Sequence, residues 1–156
     1  MTLRDADVGE ARLLSALAFR SKAHWGYSPE FMAACRHELT YAAEDIERGG
    51  FVVAEESGAI LGFYALARYA PAEVELDALF VEPAAIGRGV GRALIDDAKA
   101  RAARLGARRM TIQGDPHATR FYAAAGALQS GTRPSRSIPG RTLPLFVIEL
   151  VQNQPA

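Results

Sequence analysis

Apolar and polar residues alternate in two rhythms along this chain, and the rhythm changes at sharp boundaries. Val74, Leu76, Ala78 and Phe80 alternate with Glu75, Asp77, Leu79 and Val81, the two-residue period of a β-strand. Pro83 stops that strand. Val90, Leu94, Ala98, Ala102 and Leu105 then fall at helical spacing, with Asp96, Asp97, Lys99, Arg101 and Arg104 on other faces and Gly106 placed to cap the helix end. Upstream, Thr2 to Arg4 predicts a short strand. Asp7 and Glu10 have capping-box spacing ahead of a helix whose apolar side is Leu13, Leu14, Leu17 and Ala18. Ser28-Pro29 starts a second helix, with Phe31, Met32, Cys35 and Leu39 on one face. Gly49-Gly50 closes the helical region. Phe51 to Glu56 and Ile60 to Tyr69 predict two strands joined at Ser57-Gly58. Arg109 to Gln113 reads as a further strand, Asp115-Pro116 as another helix start running to Gly126, and residues 127–132 and 143–150 as two late strands. The tail after Val151 is expected to fray.

Bulk properties narrow the function. With 156 residues the chain is long enough for one domain with a sizeable core. A formal net charge of zero gives no global case for nucleic-acid or membrane binding. The single cysteine, Cys35, excludes an internal disulfide and a cysteine-based zinc cluster. The N-terminus is polar, without the apolar core of a signal peptide, and no apolar run approaches the ~18 residues of a membrane span. The expected location is the cytoplasm.

The chemistry gathers between the central strand and the long helix. Gly87, Gly89 and Gly91 permit tight backbone turns at a helix start, beside Arg88 and Arg92. Free N–H groups, the positive helix end and two arginines make an anion site, above all for phosphate. It is not a Walker loop, because Arg92-Ala93 follows the last glycine where Lys-Ser/Thr is needed. Nor is it a Rossmann fingerprint, because the glycine spacing differs.

The segment resembles the acetyl-CoA signature of the GNAT superfamily of N-acetyltransferases. Val81-Glu82-Pro83 stands for the strand end, and Ile86-Gly87-Arg88-Gly89-Val90-Gly91 for the glycine turn, with Ile86 where the family usually has Gln or Arg. Asp115-Pro-His117-Ala118-Thr-Arg-Phe121-Tyr122 resembles the family's second motif, with Asp115 in place of asparagine. The order β-α-α-β-β-β-α-β-α-β-β resembles the whole GNAT fold. That fold is α/β (α+β), a mixed central sheet of about six to seven strands flanked by about four helices.

The resemblance implies acetyl transfer from acetyl-CoA to a primary amine by direct attack, with no metal. The acceptor is expected to be a small amine or amino-acid-like molecule. Acetylation of a protein amine, or a non-catalytic CoA sensor, stays open, as does a homodimer. Gly87, Arg88, Gly89, Val90, Gly91 and Arg92 are then expected at the pyrophosphate, and Leu79, Phe80 and Val81 at the pantetheine arm and the carbonyl oxygen. Ala118 and Phe121 would flank the arm, and Tyr122 would serve the leaving thiolate. Glu75 and Asp77 share one face of a regular strand, and either can take the amine proton through water; a bulge would change which one faces the cleft. Trp25 and Tyr27, in the connection between the first two helices, are expected to wall the acceptor pocket. Residues 131–142 form a loop with Arg133, Arg136 and Arg141 and no acid. Arg136 and Arg141 are candidate grips for an acceptor carboxylate. Cys35 lies in an apolar stripe and is a poor nucleophile.

Overall fold

A computed structural model describes residues 1–151, apart from the side chain of Tyr69. The tail expected to fray lies outside the described residues. The elements run β1 (Thr2–Asp5), α1 (Ala11–Ala23), α2 (Pro29–Cys35), α3 (Ala43–Glu47), β2 (Phe51–Glu56), β3 (Ala59–Ala70), β4 (Glu73–Val81), α4 (Val90–Arg104), β5 (Arg109–Gln113), α5 (Thr119–Ala124), β6 (Leu128–Pro134) and β7 (Thr142–Glu149). Short 3-10 turns precede α1, α4 and α5. One seven-stranded sheet has the order β1-β2-β3-β4-β5-β7-β6. Only β4 and β5 pair in parallel, because a helix connects them; the remaining neighbours are antiparallel.

The caps read from the chain form. The Asp7 N–H donates to Glu10 Oε1 at 3.0 Å, and Ser28 Oγ accepts from the Phe31 N–H at 3.1 Å. Two differences stand out. A fifth helix, α3, is added by residues 43–47, and α2 stops at Cys35, so Leu39 reaches the core from a turn rather than from the helix face. Strand β6 also continues to Pro134, which moves Arg133 from the expected loop into the sheet.

The core lies on both sides of the sheet. Val74, Leu76, Val90, Leu94, Ile95, Ala98 and Tyr122 pack on the α4 and α5 side, and Leu14, Leu17, Met32, Cys35, Phe63 and Ala78 on the α1 and α2 side. Cys35 is buried, and burial raises its thiol pKa, which suits a small hydrophobe rather than a nucleophile. No helix among the described residues is long and apolar enough to cross a membrane.

Candidate active site

The site begins where the sheet opens. Strand β4 pairs with β5 only from Glu73↔Arg109 to Leu76↔Ile112, yet it continues to Val81 with β3 as its partner on the other side. The edge of β4 beyond Leu76 therefore faces a gap. A cleft of about 540 Å³ fills that gap and runs from the glycine turn to the α1–α2 connection. Leu79, Phe80, Val81, Ala118 and Phe121 all line it.

The glycine turn closes one end. Gly87 and Gly89 have φ of +85° and +80°, and a Cβ on either would meet no atom within 4 Å. Here glycine supplies a left-handed turn and keeps space open at the same time. Gly89 is the N-cap of α4, and the N–H groups of Gly89, Val90, Gly91 and Arg92 have no backbone acceptor among the described residues. Gly91 serves packing instead: its Cβ would lie 3.0 Å from the Phe121 ring. Arg92 lines the cleft, but Arg88 does not. The Arg88 guanidinium turns away to Glu56 at 2.6 Å, so the expected pair of arginines at the phosphate site is reduced to Arg92.

Strand β4 is not regular. Ala65 pairs with Ala78 and Leu66 with Leu76, so Asp77 is the extra residue of a bulge. The alternation shifts phase there. Val74 and Leu76 face the α4 side before the bulge and Leu79 and Val81 face it after, while Ala78 and Phe80 turn to the α1 side. The uninterrupted alternation expected of residues 74–81 is thereby corrected. Both carboxylates still line the cleft. Asp77 is exposed at the bulge, whereas Glu75 is buried, with Arg133 Nη1 4.0 Å from its Oε1.

Tyr122 lines the same cleft from α5, with its ring buried against Phe121, Phe146 and the backbone of Gly114. Burial, then the nearby Asp115 charge, pushes its phenol pKa well above the ordinary value. Its hydroxyl has no hydrogen-bond partner among the described residues, nor is it sealed from solvent, so it opens onto the cleft.

At the other end the cleft meets Ser21, Lys22, Trp25, Glu38, Tyr41 and Arg136. Trp25 stacks on His117, with ring centroids 5.1 Å apart. Tyr27 does not line the cleft. Its hydroxyl donates to Asp115 Oδ2 at 2.7 Å and accepts from Arg141 Nη2 at 2.8 Å, while its ring stacks on Phe31. Burial, then the Asp115 hydrogen bond, pushes the Tyr27 pKa up to about 12. Arg141 is likewise used structurally, 3.9 Å from Asp115 and over the rings of Tyr27 and Phe31. Asp115 also caps the turn before α5, accepting from the His117 N–H at 2.9 Å, and meets Lys22 at 3.4 Å. Burial alone would raise its pKa; the His117 N–H, the Tyr27 hydroxyl and Lys22 overcome that and hold it below the usual range. Tyr27 and Arg141 are thus wall supports rather than the wall. Arg136 is the one arginine of the three that lines the cleft, and it has no ion pair among the described residues.

The model of the Acetyltransferase (GNAT) family matches residues 19–127. The chain belongs to that family. No curated protein matches it by sequence. The GNAT chain is similar in structure to the PaiA N-acetyltransferase of Thermoplasma acidophilum in complex with coenzyme A, with TM-score 0.78, 18% identity, and coverage of 95% of this chain and 98% of that one. It is also similar to YncA, a putative acetyltransferase of Salmonella typhimurium with acetyl-CoA, with TM-score 0.71, 20% identity, and coverage of 100% and 97%. A third likeness is to N-acetylglutamate synthase of Neisseria gonorrhoeae, complexed with coenzyme A and N-acetyl-glutamate. There the TM-score is 0.72 at 22% identity, over 97% of this chain and 35% of that one.

The GNAT chain's own features suit a CoA thioester. Unpaired N–H groups and a left-handed glycine turn offer a cradle for the pyrophosphate, and the open edge of β4 offers main-chain partners to an extended arm. Among the described residues no group of three or more His, Cys, Asp or Glu is arranged to hold a metal ion. Lys22, Glu38, Tyr41 and His117 also line the site and were not singled out from the sequence. Lys22 and Glu38 look like ordinary charged helix positions, and only the fold turns them to the cleft.

Proposed function

We propose that this protein transfers the acetyl group of acetyl-CoA to the primary amine of a small, amino-acid-like acceptor. One observation carries the reading: a single cleft joins the glycine cradle, the open edge of β4, two carboxylates and the Tyr122 hydroxyl. Acetyl-CoA supplies the acetyl group as a thioester. The N–H groups at Gly89 to Arg92 hold its pyrophosphate. The main-chain groups of Leu79 to Val81 that point away from β3, along the open edge, align the arm and give a donor to the carbonyl oxygen as charge builds there.

Glu75 takes the proton of the attacking amine through water, with Asp77 at the bulge nearer to solvent. The Tyr122 hydroxyl donates to the departing sulfur. Its raised pKa keeps it protonated, and hence a donor, throughout the neutral range. Attack is direct, because the buried thiol of Cys35 does not line the cleft.

The acceptor end favours a small molecule over a protein surface. The segment 135–141 is tied across it, by the Ser137 hydroxyl donating to Glu38 on one side and Arg141 donating to Tyr27 on the other. Arg136, on that segment and unpaired among the described residues, is placed to grip a carboxylate with two parallel hydrogen bonds. The N-acetylglutamate synthase of similar fold is complexed with an N-acetylated amino acid, which supports the same acceptor class. The test is an acetyl-CoA assay that follows free thiol over a panel of amines, each with and without a carboxylate. Transfer preferring the carboxylate-bearing amines is the expected result. Tight CoA binding with no transfer to any amine would leave a CoA-binding protein without this activity.

A further inference from the structure

We propose that a second groove, on the outer side of α1, binds a small organic anion: a carboxylate attached to an apolar body. It has a volume of about 440 Å³ and is separate from the acetyl-transfer cleft. Its walls come from one face of α1 and from the turn after α2. Arg12, Phe19 and Arg20 stand opposite Arg36, Leu39 and Tyr41.

Charge distinguishes this groove. Three arginines line it and, among the described residues, no carboxylate does. Arg20 is already matched, donating to both oxygens of Glu82 at 2.9 and 2.7 Å. Arg12 and Arg36 have no ion pair among the described residues, which leaves two uncompensated guanidiniums on one concavity. Arg12 lies in the first turn of α1, where the helix dipole makes a cation unfavourable. That cost is offset when an anion settles beside it. Arg36 lies over the Phe19 ring, 4.2 Å from its centroid. This cation–π contact holds the guanidinium in place while its N–H donors stay available.

The rest of the wall sets the ligand's other half. Ala16, Phe19 and Leu39 are apolar, so a bare inorganic ion would leave them against water. The Ser15 and Thr40 hydroxyls are already engaged: Ser15 Oγ donates to the Ala11 carbonyl and accepts from the Tyr41 N–H, and Thr40 Oγ1 donates to the Arg36 carbonyl. Recognition therefore falls to the two arginines and the apolar floor. Leu39 and Tyr41 also line the acetyl-transfer cleft from their other side, so a thin wall divides the two.

The experiment is calorimetric titration of the full chain with 1-naphthoate, with neutral 1-naphthamide, and with inorganic phosphate, each up to about 10 mM. Naphthoate should bind more tightly than the amide and the phosphate. Arg12→Gln and Arg36→Gln should each weaken naphthoate about tenfold or more, as loss of a charge-assisted hydrogen bond does, while CoA affinity stays as in wild type. Amide NMR shifts caused by naphthoate should centre on Ala16, Phe19 and Thr40. Equal affinity for acid and amide, no binding of naphthoate, or full affinity in the Arg12→Gln, Arg36→Gln double variant overturns the proposal. So does affinity lost in Arg136→Ala but kept in that double variant, which would move the anion to the acceptor cleft.

Discussion

Substituting Gly89 with alanine separates what the glycine turn does for the fold from what it does for the ligand. Gly89 has φ of +80°, and an alanine held there costs about 1–2 kcal/mol. The stiffer unfolded chain gives back roughly 0.4–1 kcal/mol. The added Cβ meets nothing within 4 Å, so no packing penalty is added. A net loss near 1 kcal/mol lowers the melting temperature by about 2–4 °C for a chain of this size. Binding should suffer far more. Under the proposed function, the same methyl would stand where the pyrophosphate approaches the N–H groups of Gly89, Val90 and Gly91. Losing two charge-assisted hydrogen bonds at about 1.5–3 kcal/mol each weakens CoA roughly a hundredfold or more. Gly50→Ala is the control. Its Cβ would sit 2.4 Å from the Leu66 carbonyl oxygen, and neither residue lines the cleft, so it should lose more stability than Gly89→Ala and keep CoA affinity at temperatures where it is folded. The assays are thermal unfolding and calorimetric CoA titration of both variants. A folded Gly89→Ala protein with wild-type CoA affinity would refute the cradle, and a collapse of its melting temperature would refute the claim that the position is free of packing.

Three further outcomes are expected. Tyr122→Phe keeps the buried ring and removes only the hydroxyl, so kcat should fall by roughly ten- to a thousandfold with CoA affinity unchanged; wild-type turnover would assign the proton to water. Arg136→Ala should shrink the preference for carboxylate-bearing amines by roughly tenfold or more at little cost in stability, whereas Arg141→Ala should lower stability, because it strips a partner from half-buried Tyr27 and Asp115. If the two substitutions act alike, the division of labour drawn between them fails. Asp115 has a pKa held below its ordinary 3.8, so it contributes stability above that value and loses it as pH falls through the depressed one. Asp115→Asn should therefore be less stable at neutral pH and lack that acid-side fall, which urea unfolding over a pH series would show; identical pH curves would remove Asp115 from its place as a hub.

What the chain settled by itself is local. Strand alternation at residues 74–76, the helical spacing of Val90 to Ala102, the Ser28 and Asp115 caps and the glycine turn are each made by neighbours within about one turn, whose preferences survive in any surroundings. The glycine turn and the helix that carries Tyr122 were legible for that reason. Other features depended on pairing across the chain. The bulge at Asp77 exists because β3 and β4 differ by one residue in register, a mismatch that no single strand contains. Three arginines of similar appearance, Arg133, Arg136 and Arg141, were divided by contacts with Glu75, the cleft and Tyr27–Asp115 respectively. Arg88, in the glycine turn, was drawn to Glu56 on β2. A guanidinium on its long stem goes to whichever partner the fold brings near, so its role is decided by distance in space rather than by position in sequence. The groove of Arg12 and Arg36 follows the same rule, since only the packing of α1 against the turn after α2 places those two charges on one surface.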